Sequence, residues 1–171
     1  MNVPKSDPKM STALVPMQPP PLASIWDDVR LQKLWLSVER KAWRSLAVLP
    51  ASPLLDTIPM AELLAQLAWR YRGQPSSVCD LRDLSMRLAD HEVREMAAQV
   101  ASGTRVVVAL RSVFENPTSA AVAKQTDAVA LCIALGETKF RHTKETIDAV
   151  GRENIIGTIV LHPKRRSRIR V

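Results

Sequence analysis

Residues 49–69, LPASPLLDTIPMAELLAQLAW, lead from an apolar run into a helical pattern, with the position and length of a loop that could cradle phosphate. That chemistry needs glycines so that backbone N–H groups converge on phosphate oxygens, a lysine to neutralise them, and a Ser or Thr hydroxyl to hold magnesium. The stretch has no glycine and no lysine. Other reactive residues are scattered. His91, His142 and His162 fall on different elements without the Cys or carboxylate spacing of a zinc motif. Ser45, Ser52 and Ser112 lack the context of a nucleophile elbow. Cys79 and Cys132 each lie inside an apolar run, where burial raises a thiol pKa, so both are expected to be reduced, inert core residues of a cytosolic protein.

The elements that would position such groups follow from the apolar pattern. A chain of 171 residues with 46% hydrophobic content can bury one core, so a single globular domain is expected. Its apolar runs fall well short of the roughly 20 residues of a membrane span, and there is no long apolar leader. Residues 1–22 hold six of the twelve prolines and no regular apolar period, which predicts a disordered, partly polyproline arm. A helix is predicted over 24–42, with Ser24 as N-cap and Asp27 and Asp28 in its first turn. Five apolar strands then alternate with helices: strands at 44–49, 76–81, 104–110, 127–135 and 154–162, helices at 59–72, 84–102, 118–125 and 139–150. Near-continuous hydrophobicity in the strands calls for cover on both faces, hence a three-layer, mostly parallel five-stranded α/β sheet with flanking helices. In open sheets of this kind ligands bind beyond the strand carboxyl ends, so the loop at 50–58 is where a nucleotide would be sought.

The ordered series resembles the MinD/ParA-like P-loop ATPases, and among them the bacterial tyrosine kinases of polysaccharide export, over roughly 26–162. LAVLPASPLLDTIPMAELLA is similar to that family's VAVTSAEPGEGKSTVAANLA without a gap, with Ala51, Pro53, Leu64 and Ala65 matching. The chemical letters differ. Leu54 and Asp56 stand at glycine positions, Thr57 at the lysine and Ile58 at the magnesium ligand. VCDLRDL (78–84) resembles the second strand LIDADLR, which sets Asp80 and Arg82 over its acidic and basic residues. Ala109 stands where the family has the acid of its metal-binding strand, and His162 lies near a base-contacting asparagine. Asp27, Arg30 and Lys33 have the spacing of the E-x-x-R-x-x-R pattern used in ring formation. The family's tyrosine-rich tail is replaced by PKRRSRIRV, and the one tyrosine, Tyr71, falls inside a helix.

The resemblance thus implies a P-loop NTPase-like fold whose phosphate site is degenerate, with no catalytic residue, cofactor or metal. Such losses remove the electrostatic stabilisation on which phosphoryl transfer depends. The expected function is a catalytically inactive regulatory or scaffold protein connected with polysaccharide synthesis or export. Its partner would be a catalytic paralogue or a membrane transporter's cytosolic segment, in a homo- or hetero-oligomer, in the cytoplasm or at the inner face of the membrane. The alternative is a partitioning or positioning protein that binds DNA or an anionic membrane. Lys164, Arg165, Arg166, Arg168 and Arg170 supply five charges in the last eight positions, and removing them from the net +7 leaves about +2 on the body. Trp26 and Trp35 are expected to pack in the core or, if exposed, to mark a partner surface.

Overall fold

The computed structural model describes residues 15–16, 28–53 and 55–162. The elements in chain order are β1 (Val15–Pro16), α1 (Val29–Val38), β2 (Ser45–Pro50), α2 (Ile58–Arg72), β3 (Ser76–Asp80), α3 (Ala89–Ala101), β4 (Arg105–Ala109), α4 (Thr118–Ala123), β5 (Ala128–Ala134), α5 (Phe140–Val150) and β6 (Ile155–Leu161). The six strands form one sheet in the order β1-β3-β4-β2-β5-β6. Strands β2 to β6 pair in parallel throughout, while β1 adds to the outer edge of β3 antiparallel, Val15 opposite Val78.

Burial explains the parallel sheet. Every residue of β2 and β4 is buried, and alternate positions point to opposite faces. Leu46 and Val48 pack with α1 and α2, through Trp35, Val38, Leu64 and Leu67. Ala47 and Leu49 pack with α3, α4 and α5, through Met96, Val122 and Val150. The result is the expected three-layer domain with its five parallel strands. α2 begins with Pro59 in its first turn and stops at Gly73, whose φ of 63° lets its N–H close on the Trp69 carbonyl at 2.9 Å.

The arm and the first helix depart from expectation, and the helix expected over 84–102 is shortened to Ala89–Ala101. Val15 and Pro16 of the arm form β1; the rest of residues 1–22 lies outside the described residues. α1 ends at Val38 rather than 42 because Glu39 is drawn into ion pairs with Arg72 and Arg105 while Trp43 turns inward, its Nε1–H donating to the Val38 carbonyl at 3.2 Å. Asp28 is the N-cap of α1, accepting from the Arg30 N–H at 2.8 Å, whereas Ser24 lies outside the described residues. Among the described residues no helix is long and apolar enough to cross a membrane.

Candidate functional site

β2 is the central parallel strand, and the chain leaves it towards α2 on one face, whereas it leaves β4 and β5 towards α4 and α5 on the other. The loops after these three strands therefore part around the loop at 51–57, the arrangement in which open α/β sheets bind ligands.

That loop is fastened by its own side chains. The Ala51 N–H donates to the Cys132 carbonyl at 2.8 Å, prolonging the β2–β5 ladder. Ser52 Oγ and Thr138 Oγ1 share a hydrogen bond of 2.9 Å, and Thr138 Oγ1 also accepts from the Ala134 N–H. Thr57, at the position of the sought lysine, is fully buried and donates from Oγ1 to the Leu110 carbonyl at 2.8 Å, so its hydroxyl is committed to the end of β4. Ile58, where a magnesium-binding hydroxyl was sought, is half-buried against the α1–α2 core, as is Leu55. Pro53 is half-buried, and Leu54 lies outside the described residues. The glycines with positive φ are Gly73, Gly103, Gly136 and Gly151, all outside this loop.

Asp56 occupies the seat at the start of α2. Its Oδ1 accepts from the Ile58 N–H at 3.1 Å and from Arg82 Nη1 at 2.8 Å. The exposed N–H groups and dipole of a helix N-terminus favour an anion, and here the anion is intramolecular. Arg82 reaches Asp56 from the end of β3 while gripping Asp80 with Nε at 2.9 Å and Nη2 at 2.8 Å. The Arg82 hydrogen bonds hold the Asp80 carboxyl below the usual carboxylate range, and Asp80 in turn raises the Arg82 guanidinium further. Asp80 is paired in register with Ala109, whose methyl group offers no ligand where the resemblance implies an acidic metal partner. Asp56 from the loop and Asp80 and Arg82 from the end of the second strand of the parallel series thus meet in one network.

Further members carried no motif. Arg111, just beyond β4, pairs with Asp83 at 2.8 Å and Glu115 at 3.7 Å. Asn116 donates from Nδ2 to the carbonyls of Arg82 and Leu84 and accepts from the Thr118 N–H, tying the loops after β3 and β4 together. The available sequence signal was a polar residue after each strand end, which does not say which partners meet.

Other expected residues fall apart in space. Trp35 is 6% exposed, edge-on to Trp43 at 6.4 Å and stacked on Tyr71 at 5.8 Å, which gives it the packing role. Arg30 and Lys33 are exposed on α1, and Arg30 pairs with Asp28 at 2.6 Å. Trp26, Asp27 and the tail bearing Lys164, Arg165, Arg166, Arg168 and Arg170 lie outside the described residues. Burial pushes the Cys79 and Cys132 thiols up to about 12, with Glu92 and Asp80 adding to the effect at Cys79. Among the described residues no group of three or more His, Cys, Asp or Glu side chains could hold a metal ion.

Comparison with protein-family models, curated proteins and solved structures finds no match to this chain. The geometry is that of a five-stranded parallel α/β sheet with flanking helices, compatible with a P-loop-like fold, carrying a loop of the P-loop position whose helix N-terminus is engaged by Asp56.

Proposed function

We propose that this chain is a non-catalytic P-loop-like protein that acts through its surfaces, as a regulatory or scaffold partner of another protein. The observation that carries the reading is the seat of Asp56. A triphosphate entering there would have to displace a carboxylate that already satisfies Ile58 N–H and Arg82, and would find no lysine, loop glycine or acidic metal partner in exchange. A sheet whose central strands are fully buried, beneath a site without phosphate chemistry, favours a role for the fold as a platform. The resemblance to the kinases of polysaccharide export points to a catalytic paralogue or a transporter's cytosolic segment as the partner.

Phosphate release from Mg-ATP by the purified full chain tests this directly. The expected result is release indistinguishable from buffer, together with stoichiometric co-purification of a P-loop paralogue or transporter with the tagged chain. Turnover on the order of the 1–100 s⁻¹ common among kinases would overturn it.

A second reading rests on charge. Arg30, Lys33, Arg40 and Lys41 are exposed on and just after α1, and five more cations end the sequence. Such a distribution suits DNA or an anionic membrane, with binding that weakens as salt rises. Deleting 164–171 is then expected to abolish retention on DNA or on phosphatidylserine vesicles; unchanged retention excludes the tail as the grip.

A further inference from the structure

Buried polar atoms in a folded chain are normally bonded to other protein groups or to ordered water, and those left over call for a physical account. Among the described residues three buried side-chain atoms have no hydrogen-bond partner within the protein: Ser119 Oγ, His142 Nδ1 and Thr146 Oγ1. They sit on two helices that touch, Ser119 on α4 and the other two on α5. Ser119 is 1% exposed and Thr146 is fully buried, so neither hydroxyl can turn to bulk solvent.

Neighbouring contacts place these groups at one level of the α4–α5 seam. Both helices pack on the same face of the sheet. Just ahead of α4, the Phe114 ring lies 4.6 Å from the ring of His142 in the first turn of α5. Further along, Val122 and Ala123 of α4 share the core of that face with Val150 of α5. Ser119 stands one turn before Val122 and Ala123, and Thr146 one turn before Val150, so the two hydroxyls belong to the level between. His142 and Thr146 are four residues apart on α5 and hence neighbours on one side of that helix.

From this placement we infer that the α4–α5 seam is a binding site for an ordered water molecule, held by Ser119 Oγ, His142 Nδ1 and Thr146 Oγ1. Three partners are the usual complement of a buried water. The hydrogen-bonding capacities match. Water donates twice and accepts through its oxygen, each hydroxyl can do either, and the neutral imidazole presents Nδ1 as an N–H or as a lone pair. Polar groups that lack partners and stand beyond direct hydrogen-bond reach of one another are the setting in which water bridges. An apolar occupant would leave all three atoms unpaired. The position also gives the water a task. α5 starts just after Thr138, which holds Ser52 of the loop at 51–57, so a bridge to α4 steadies the helix from which that tie departs. The inference stands independently of what the loop binds.

Thermal melts of hydroxyl-deleted variants and a crystal structure of the full chain test it. An orphaned hydroxyl and a bridged one give opposite signs for Thr146→Val: removing an unpaired buried hydroxyl raises Tm, whereas removing a partner of the water lowers it. A fall of about 2–4 °C is expected for Thr146→Val and for Ser119→Ala, with the double variant falling well short of the sum because both changes release the same water. Thr126→Val is the control. Its hydroxyl donates directly to the Ala123 and Ala128 carbonyls, so its effect should add to that of Thr146→Val. Should a variant fail to fold, the wild-type crystal structure decides, with a water expected about 2.7–3.2 Å from all three atoms. A rise in Tm for Thr146→Val, additive losses at 119 and 146, equal coupling to Thr126→Val, or a seam whose hydroxyls bond each other or backbone carbonyls without water overturns the inference.

Discussion

Replacing Asp56 by alanine separates the two jobs assigned to its carboxylate, stabilising α2 and occupying the anion seat. The Asp56 contact to the Ile58 N–H at 3.1 Å comes from the residue before the N-cap Thr57 and is an ordinary hydrogen bond worth about 0.5–1.5 kcal/mol. The Arg82 contact joins side chains that are 29% and 58% exposed, so it adds less than about 1 kcal/mol. Arg82 keeps both bonds to Asp80, and no charge is left unpaired. A loss of about 1–2 kcal/mol lowers Tm by about 2–8 °C in a chain of this length. Ligand linkage supplies the other half of the experiment. At about 5 mM Mg-ATP, a site with Kd near 50 µM would stabilise the fold by about 2.7 kcal/mol, a rise of about 5–11 °C. Differential scanning fluorimetry is expected to show less than about 1 °C for the wild type, and a larger rise for Asp56→Ala with phosphate or ATP, because the helix N-terminus is then free. A wild-type rise of about 5 °C or more, or an Asp56→Ala protein as stable as its parent, would refute the reasoning.

Glu39→Ala removes a carboxylate that is 8% exposed and leaves Arg105, itself 10% exposed, with only Gln74 Oε1 and the Trp43 ring as partners; a loss of about 3 kcal/mol and about 6–12 °C in Tm is expected, with Glu39→Gln recovering part of it. At Asp127 burial raises the carboxyl pKa, but hydrogen bonds from the Arg44 and Ser45 N–H groups outweigh it and the net shift is downward. Its stabilising contribution is therefore present above the unfolded carboxylate pKa of about 3.9 and is lost as pH falls through the folded value, so Asp127→Asn should flatten the fall in Tm below about pH 4. With both thiols pushed up to about 12 and buried, Cys79 and Cys132 should resist iodoacetamide at pH 8 in the native protein and react once denatured; fast labelling of the folded chain would contradict their burial.

Much of this architecture could be read from the chain because its signals are local. Strands buried on both faces are apolar runs in the sequence, and all five parallel strands lie within a residue of their expected bounds at either end. Pro59 and Gly73 marked α2 in the same way. Features decided at long range were not legible. The helix expected from 84 begins at Ala89, since Leu84 is drawn back to the Leu81 carbonyl and its own carbonyl is taken by Asn116, 32 residues on. β1 has too few residues to carry an alternating pattern, and its pairing partner is more than 60 residues away. Asp56 and Arg82, or Asp83 and Arg111, became partners only when neighbouring strand ends were set side by side. The same local letters that identified a loop without phosphate chemistry could not show that a carboxylate fills it.

The strand Val15–Pro16 has a consequence for what that side of the sheet can recruit. Val15 lies opposite Val78 and Pro16 opposite Ser77, and a proline on the outermost strand has no N–H to offer a further neighbour. Strand addition there, the step by which sheets propagate into fibres, meets the chain's own backbone first.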